Sequence, residues 1–143
     1  MTKTIKQSII EWLQLFDGFE IEDFIETDIA NNDGGFAVAK EPNQVLEQFV
    51  DGSMILQEYY TFVAKLPTVT ETQRKANDEF MENFQDWIIE KNKEYDLPNL
   101  KQGCFCNNIA ISSSYYLESN ENKLGMYIFT LEIQYRKEIQ NGR

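Results

Sequence analysis

The sequence contains no histidine. That absence removes Ser-His-Asp and Cys-His catalysis and the commonest metal ligand together. Cysteine is nearly as scarce. Cys104 and Cys106 are two positions apart, so on a strand they face the same side, too close in sequence for an ordinary structural disulfide. A single C-x-C pair without further Cys or His cannot complete a tetrahedral zinc site. We read both as reduced strand residues and expect no metal and no cofactor. Cations are also few: 13 Lys and Arg stand against 24 Asp and Glu, a net charge of −11. Direct recognition of nucleic acid needs clustered Lys and Arg to displace counterions from phosphates, and no cluster exists. Anionic membrane surfaces are disfavoured for the same reason. No apolar run approaches the roughly 20 residues that span a bilayer. The N-terminus lacks the apolar region and small-residue cleavage site of a signal peptide, so the expected compartment is the cytoplasm of the producing cell. No Gly-rich phosphate loop, oxyanion donor or activated nucleophile accompanies the carboxylates, and we expect no enzyme.

What is present is globular. The 143 residues are 42% hydrophobic and 13% aromatic, enough for one domain, 1–143, with its own core. The clearest pattern is at the C-terminal end, Gly103 to Lys137, which reads as two long strands. Tyr127, Phe129, Leu131, Ile133 and Tyr135 alternate with Ile128, Thr130, Glu132, Gln134 and Arg136, the period of two of a sheet. The partner strand carries Phe105, Ile109, Ile111, Tyr115 and Leu117 at odd positions. Between them Glu118 to Gly125 has loop composition.

Upstream, a helix is predicted from Thr4 to Phe16, with Ile5, Ile9, Trp12, Leu13 and Phe16 on one face. Gly18 is placed to take a left-handed cap. Phe19 to Asp28 reads as one or two short strands. Asn31 to Gly35 reads as a turn, followed by a strand at Phe36–Lys40 that Pro42 breaks. Gln44–Val50 and Ser53–Lys65 form a hairpin, in which Asp51-Gly52 suits a two-residue type I′ turn. Thr68 with Glu71, and Thr70 with Gln73, offer overlapping capping boxes. They precede a helix whose buried stripe is Ala76, Phe80, Phe84, Trp87 and Ile88 and which ends before Pro98. Strands joined by tight turns, with two amphipathic helices, predict an α+β two-layer sandwich: an antiparallel or mixed sheet covered on one face by two helices.

Two segments are candidate interaction surfaces. Glu20, Glu22, Asp23, Glu26 and Asp28 form an acidic run. It does not fit a calcium loop, because the third position from Asp28 is Ala30, and a solvated edge is the simplest account of it. The polar loop residues Glu118, Asn120, Glu121, Asn122 and Lys123 sit at the tip of the longest strands. Adjacent strand residues face opposite sides, so Tyr59-Tyr60 and Tyr115-Tyr116 place aromatics on both faces of the sheet. Helices cover one face, so the other presents aromatics, a mark of an interface.

A run of motifs is similar to a known family. Phe36-Ala37-Val38, Pro42 and Asp51-Gly52-Ser53 lead into Tyr59-Tyr60-Thr61-Phe62. Arg74-Lys75-Ala76-Asn77 and Phe84-Gln85-Asp86-Trp87-Ile88 follow on the helix, then Leu97-Pro98-Asn99-Leu100. Leu131-Glu132-Ile133-Gln134-Tyr135-Arg136-Lys137 closes the pattern. From about Ile5 to Lys137 the chain resembles the tail-terminator, or minor capsid, proteins of long-tailed phages of Gram-positive hosts. The resemblance implies an α+β fold and a ring, usually of six copies, at the head-proximal end of the tail. Such a ring stops the tail tube from polymerising and presents a surface to the head connector. The implied partners are therefore self, the major tail tube protein and the connector, with DNA passing through unbound, and the implied location is the virion. The strong negative charge fits such a lumen, because it repels phosphate. The competing reading is a monomeric acidic binding module, such as an inhibitor or immunity protein masking a basic partner.

Overall fold

The strictest alternation builds the middle of the sheet. The computed structural model describes residues 3–20, 23–30, 33–42 and 44–138. In chain order the elements are α1 (Ile5–Leu13), β1 (Ile25–Thr27), β2 (Gly35–Lys40), β3 (Gln44–Gln48), β4 (Met54–Pro67), α2 (Glu71–Lys93), β5 (Cys104–Glu121) and β6 (Leu124–Lys137). The six strands form one mixed sheet in the order β1-β2-β4-β6-β5, with β3 on β4 alongside β2. Only β1 and β2 run parallel; the remaining pairs are antiparallel. The fold class is α+β.

β4 and β6 pair in unbroken register from Met54↔Lys137 to Pro67↔Leu124. Leu56, Tyr60, Phe62 and Ala64 therefore share a face with Tyr127, Phe129, Leu131, Ile133 and Tyr135, and all are buried. Both helices pack on this face. Phe84 of α2 is fully buried and meets Phe62 and Phe129 of the sheet at ring-centroid distances of 5.0 and 5.7 Å. Phe16, just past α1, stacks on Phe84 at 4.8 Å. Trp12 and Trp87 join the two helices at 5.0 Å. Offset and edge-on aromatic pairs contribute beyond their buried area, so this cluster is where the two layers are fastened.

The predicted first helix is shorter than the periodicity implies. Thr4 caps it, its hydroxyl accepting from the Gln7 N–H at 3.0 Å while Gln7 Oε1 accepts from the Thr4 N–H at 2.9 Å. Gly18 does not take a left-handed cap. Its backbone φ is not positive, and the site is instead crowded: an added Cβ would stand 2.3 Å from the Phe16 ring. Of the one or two short strands predicted between Phe19 and Asp28, β1 is present among the described residues. Phe19 turns into the core instead, edge-on to Phe16 and Phe36. Asn31 and Asn32 lie outside the described residues, while Gly34 and Gly35 hold positive φ.

The two hairpins exchange their expected turns. Asp51-Gly52 is not a type I′ turn, because only Gly52 has positive φ. The Phe49 N–H donates to Ser53 and the Gly52 N–H to Phe49, a three-residue loop closed by a left-handed glycine. The two-residue turn with both positions left-handed is Asn122-Lys123, at φ 53 and 67. It joins the pair Glu121↔Leu124. The predicted loop from Glu118 to Gly125 is therefore mostly strand.

α2 uses only the second capping box, Thr70 with Gln73. Its buried face is rotated from the predicted one. Ala76 is exposed, Phe80 and Trp87 are half-buried, and Asn77, Met81 and Gln85 are buried beside Phe84 and Ile88. The polar members earn burial through the sheet. Gln85 Oε1 accepts from the Tyr115 N–H at 2.6 Å, and one turn pair further on Asn92 Oδ1 accepts from the Ile109 N–H at 3.0 Å. β5 is an edge strand, and these amides satisfy outward-facing donors that would otherwise invite another strand. The helix ends at Tyr95, whose φ of 58 is left-handed. The Asp96 N–H returns to Lys91 and the Tyr95 N–H to Asn92, the paired bonds of a Schellman cap.

β5 departs from simple alternation. Register shifts fall between Cys106 and Asn108, Ile111 and Ser113, Ser113 and Tyr116, and Leu117 and Ser119. Each extra residue reverses the faces. Phe105 and Leu117, which simple alternation sets on one face with Ile109, are exposed, while Ile109 is fully buried.

Candidate functional site

The tip of the β5–β6 hairpin is held firmly for a polar turn. Thr68, in the link between β4 and α2, is buried. Its N–H donates to the Lys123 carbonyl at 3.1 Å and its hydroxyl to Asn120 Oδ1 at 2.6 Å. Arg74 Nη1 in turn donates to the Thr68 carbonyl at 2.7 Å. The predicted surface residues Glu118, Asn120, Glu121, Asn122 and Lys123 are all exposed. Glu121 and Asn122 border a shallow hollow of about 470 Å³ that also takes in Lys65 and Met126.

The acidic run lies elsewhere. Glu20 and Glu26 are exposed, and Glu22 lies outside the described residues. Asp23 is occupied locally, its Oδ2 accepting from the Glu20 N–H at 2.8 Å. Asp28 pairs with Lys6 at 2.5 Å. Glu26 belongs to β1 and the tip to β5 and β6, so the sheet order sets them at opposite edges, four strand spacings or about 19 Å apart. They do not form one site.

The larger surface is the sheet face turned away from the helices. Tyr59, Thr61 and Val63 of β4 stand opposite Glu132, Thr130 and Ile128 of β6. Tyr116 of β5 stands opposite Ile128 from the other side. Tyr116 is 50% exposed, and the β4 and β6 residues are half-buried with no layer over them among the described residues. Tyr60 and Tyr115, their chain neighbours, point to the helix side, so each Tyr-Tyr pair does straddle the sheet.

The sequence matches no protein-family model and no curated protein. The resemblance to tail terminators therefore stands on the motifs quoted above.

One arrangement has no counterpart in the sequence reading. Glu58 lies on the core side of β4, 2% exposed, among apolar neighbours. The Tyr60 hydroxyl donates to its Oε1 at 2.5 Å and the Tyr135 hydroxyl to its Oε2 at 2.7 Å. Lys40 Nζ stands 3.6 Å away. These donors make burial of the carboxylate tolerable. Burial, then the Glu58 hydrogen bond and charge, push both tyrosines well above their usual ionisation range. The signal that finds Glu58 in the sequence is a charged residue in the even register of Leu56, Tyr60 and Phe62. Glu58 forms the floor of a cleft of about 540 Å³ edged by the first turn of α1 and by Lys6, Lys40, Lys101 and Lys137.

Among the described residues no group of three or more Asp, Glu or Cys is arranged to hold a metal ion. Both cysteines are free thiols, and burial raises Cys106 to about 11, which keeps the less nucleophilic thiol form at neutral pH. No helix among the described residues is long and apolar enough to cross a membrane.

Proposed function

We propose that this protein is a structural phage or prophage component, a tail terminator. In this reading it forms a ring at the head-proximal end of the tail tube, stops the tube from growing and offers the head connector its joining surface. The observation that carries the reading is the uncovered sheet face, with Tyr59, Val63, Ile128 and Tyr116 presented together. A face that sets these aromatic and β-branched side chains among Thr61, Thr130 and Glu132, with no covering layer among the described residues, has the mixed character of a protein interface. The two-layer α+β arrangement and the motif resemblance support the same reading, as does the firmly anchored hairpin tip, a rigid projection suited to reaching a neighbour or the tube. An experiment on purified parts tests it. Tail tube protein polymerising around its tape measure should stop at a defined length when this protein is added, with the protein found at one end. Tubes that grow to the same lengths with and without it would refute the reading.

The second reading, an acidic inhibitor or immunity module, has one observation in its favour. Asp78, Glu82, Asp86 and Glu90 lie exposed every fourth residue along α2. A monomer that binds one basic enzyme tightly, with no dependence on its own concentration, would favour it.

A further inference from the structure

The described residues separate charge into two surfaces. On α2, Asp78, Glu82, Asp86 and Glu90 share one exposed stripe, and none has an ion-pair partner among the described residues. Like charges four residues apart on a helix repel, so the stripe weakens its own helix unless cations arrive from outside. At the end of the sheet, the cleft over Glu58 gathers four lysines in a chain whose net charge is −11. Lys6 and Lys40 are already engaged by Asp28 and Glu58. Lys101 and Lys137 have no carboxylate partner among the described residues. No ion pair joins stripe and cleft within the chain.

We infer that they meet between copies: the lysine cleft of one subunit receives the α2 carboxylate stripe of the next. The two patches differ, so the contact is heterologous, the kind that repeats from copy to copy and forms a ring when its rotation closes. The inference rests on the self-assembling reading above and supplies its contact surfaces. Complementary charge sets orientation and partner choice, and solvent-accessible lysines facing an exposed carboxylate row give the contact a strong dependence on salt. Lys101 and Lys137 would provide the unpaired cations, while Lys6 and Lys40, held by their own carboxylates, would shape the cleft.

Sedimentation velocity with paired charge reversals tests this. The wild type should self-associate as its concentration approaches millimolar in low salt, and the association should weaken at least tenfold between about 50 and 500 mM salt. Lys101→Glu with Lys137→Glu should abolish it, and so should Glu82→Lys with Asp86→Lys. All four positions are surface side chains, and unchanged circular dichroism melts establish that both variants fold. The neutral pair Lys101→Gln with Lys137→Gln, with still less effect on folding, should weaken association at least tenfold. An equimolar mixture of the two reversed variants should associate again, because each then offers the other an opposite patch. A wild type that stays monomeric at millimolar concentration would overturn the inference. So would reversed variants that associate like the wild type, or a mixture that remains monomeric. Tube-length control is read separately. Its failure with the charge-swap result intact would remove the tail reading and leave the interface, whereas the converse would remove only the interface.

Discussion

Replacing Phe84 with alanine removes the ring at which the two layers meet. Phe84 has no solvent exposure. Its ring lies 4.8 to 5.7 Å, centroid to centroid, from Phe16, Phe19, Phe62 and Phe129. These neighbours come from the segment after α1, from β4 and from β6, elements that are themselves hydrogen-bonded or capped, so the surroundings cannot collapse far into the void. A Phe→Ala change at a site that relaxes poorly costs about 3–5 kcal/mol. A domain of this size has about 5–15 kcal/mol of stability in all. With a urea dependence of about 2 kcal/mol per molar, the unfolding midpoint should fall by about 2 M. Ile89, next but four along α2 and exposed, is the control: Ile89→Ala should change stability by no more than about 0.5 kcal/mol. Urea titrations followed by circular dichroism and tryptophan fluorescence measure both. A Phe84→Ala protein within about 1 kcal/mol of the wild type, or an Ile89→Ala protein destabilised as much, would refute the packing argument.

Three further outcomes are expected. Lys123 sits at φ 67, where a side chain costs about 1 kcal/mol; Lys123→Gly should create an Asn-Gly type I′ turn and raise stability by a few tenths to about 1 kcal/mol in the same titration. Gly18→Ala should destabilise by about 1–3 kcal/mol through overpacking, since the new Cβ meets the Phe16 ring at 2.3 Å, and a neutral result would show that the ring moves aside freely. The folded state holds the protons of Tyr60, Tyr135 and Cys106 more tightly than the unfolded chain does. Their contribution is therefore fully present below about pH 8.5, the ordinary thiol range, and is lost as pH rises above it. Stability should decline through the alkaline range, the thiol part ending near the Cys106 value of about 11 and the tyrosine part continuing beyond; a flat profile from pH 8 to 11 would contradict the burial of these groups.

The parts of the fold decided by local pattern were legible in the sequence. The alternation from Tyr127 to Tyr135 and the apolar face of α1 both survive, because they follow one period without interruption. The parts decided by tertiary contact were not. β5 carries bulges that reverse its faces, and an extra residue leaves no mark in composition. The buried face of α2 departs from its hydrophobic period because Asn77 and Gln85 are polar and buried: Asn77 Nδ2 donates to the Pro67 carbonyl at 2.8 Å, and Gln85 serves the β5 backbone. Such a partner is invisible until the sheet exists. The turn at Asn122-Lys123 was hidden by a lysine where glycine is the usual sign. Of the candidate surfaces, the exposed tip and acidic residues were named from sequence, but their separation onto opposite edges depends on strand order. The lysine cleft draws on positions 6, 40, 101 and 137, which no local window connects.

Tail length in the absence of this protein is the most direct test of the proposed role as a tail terminator. In a host producing the phage from a genome lacking this gene, electron micrographs of the lysate should show tails abnormally long or unjoined to heads, and supplying the gene in trans should restore normal joined tails. Tails of normal length that join heads normally without the protein would contradict the account.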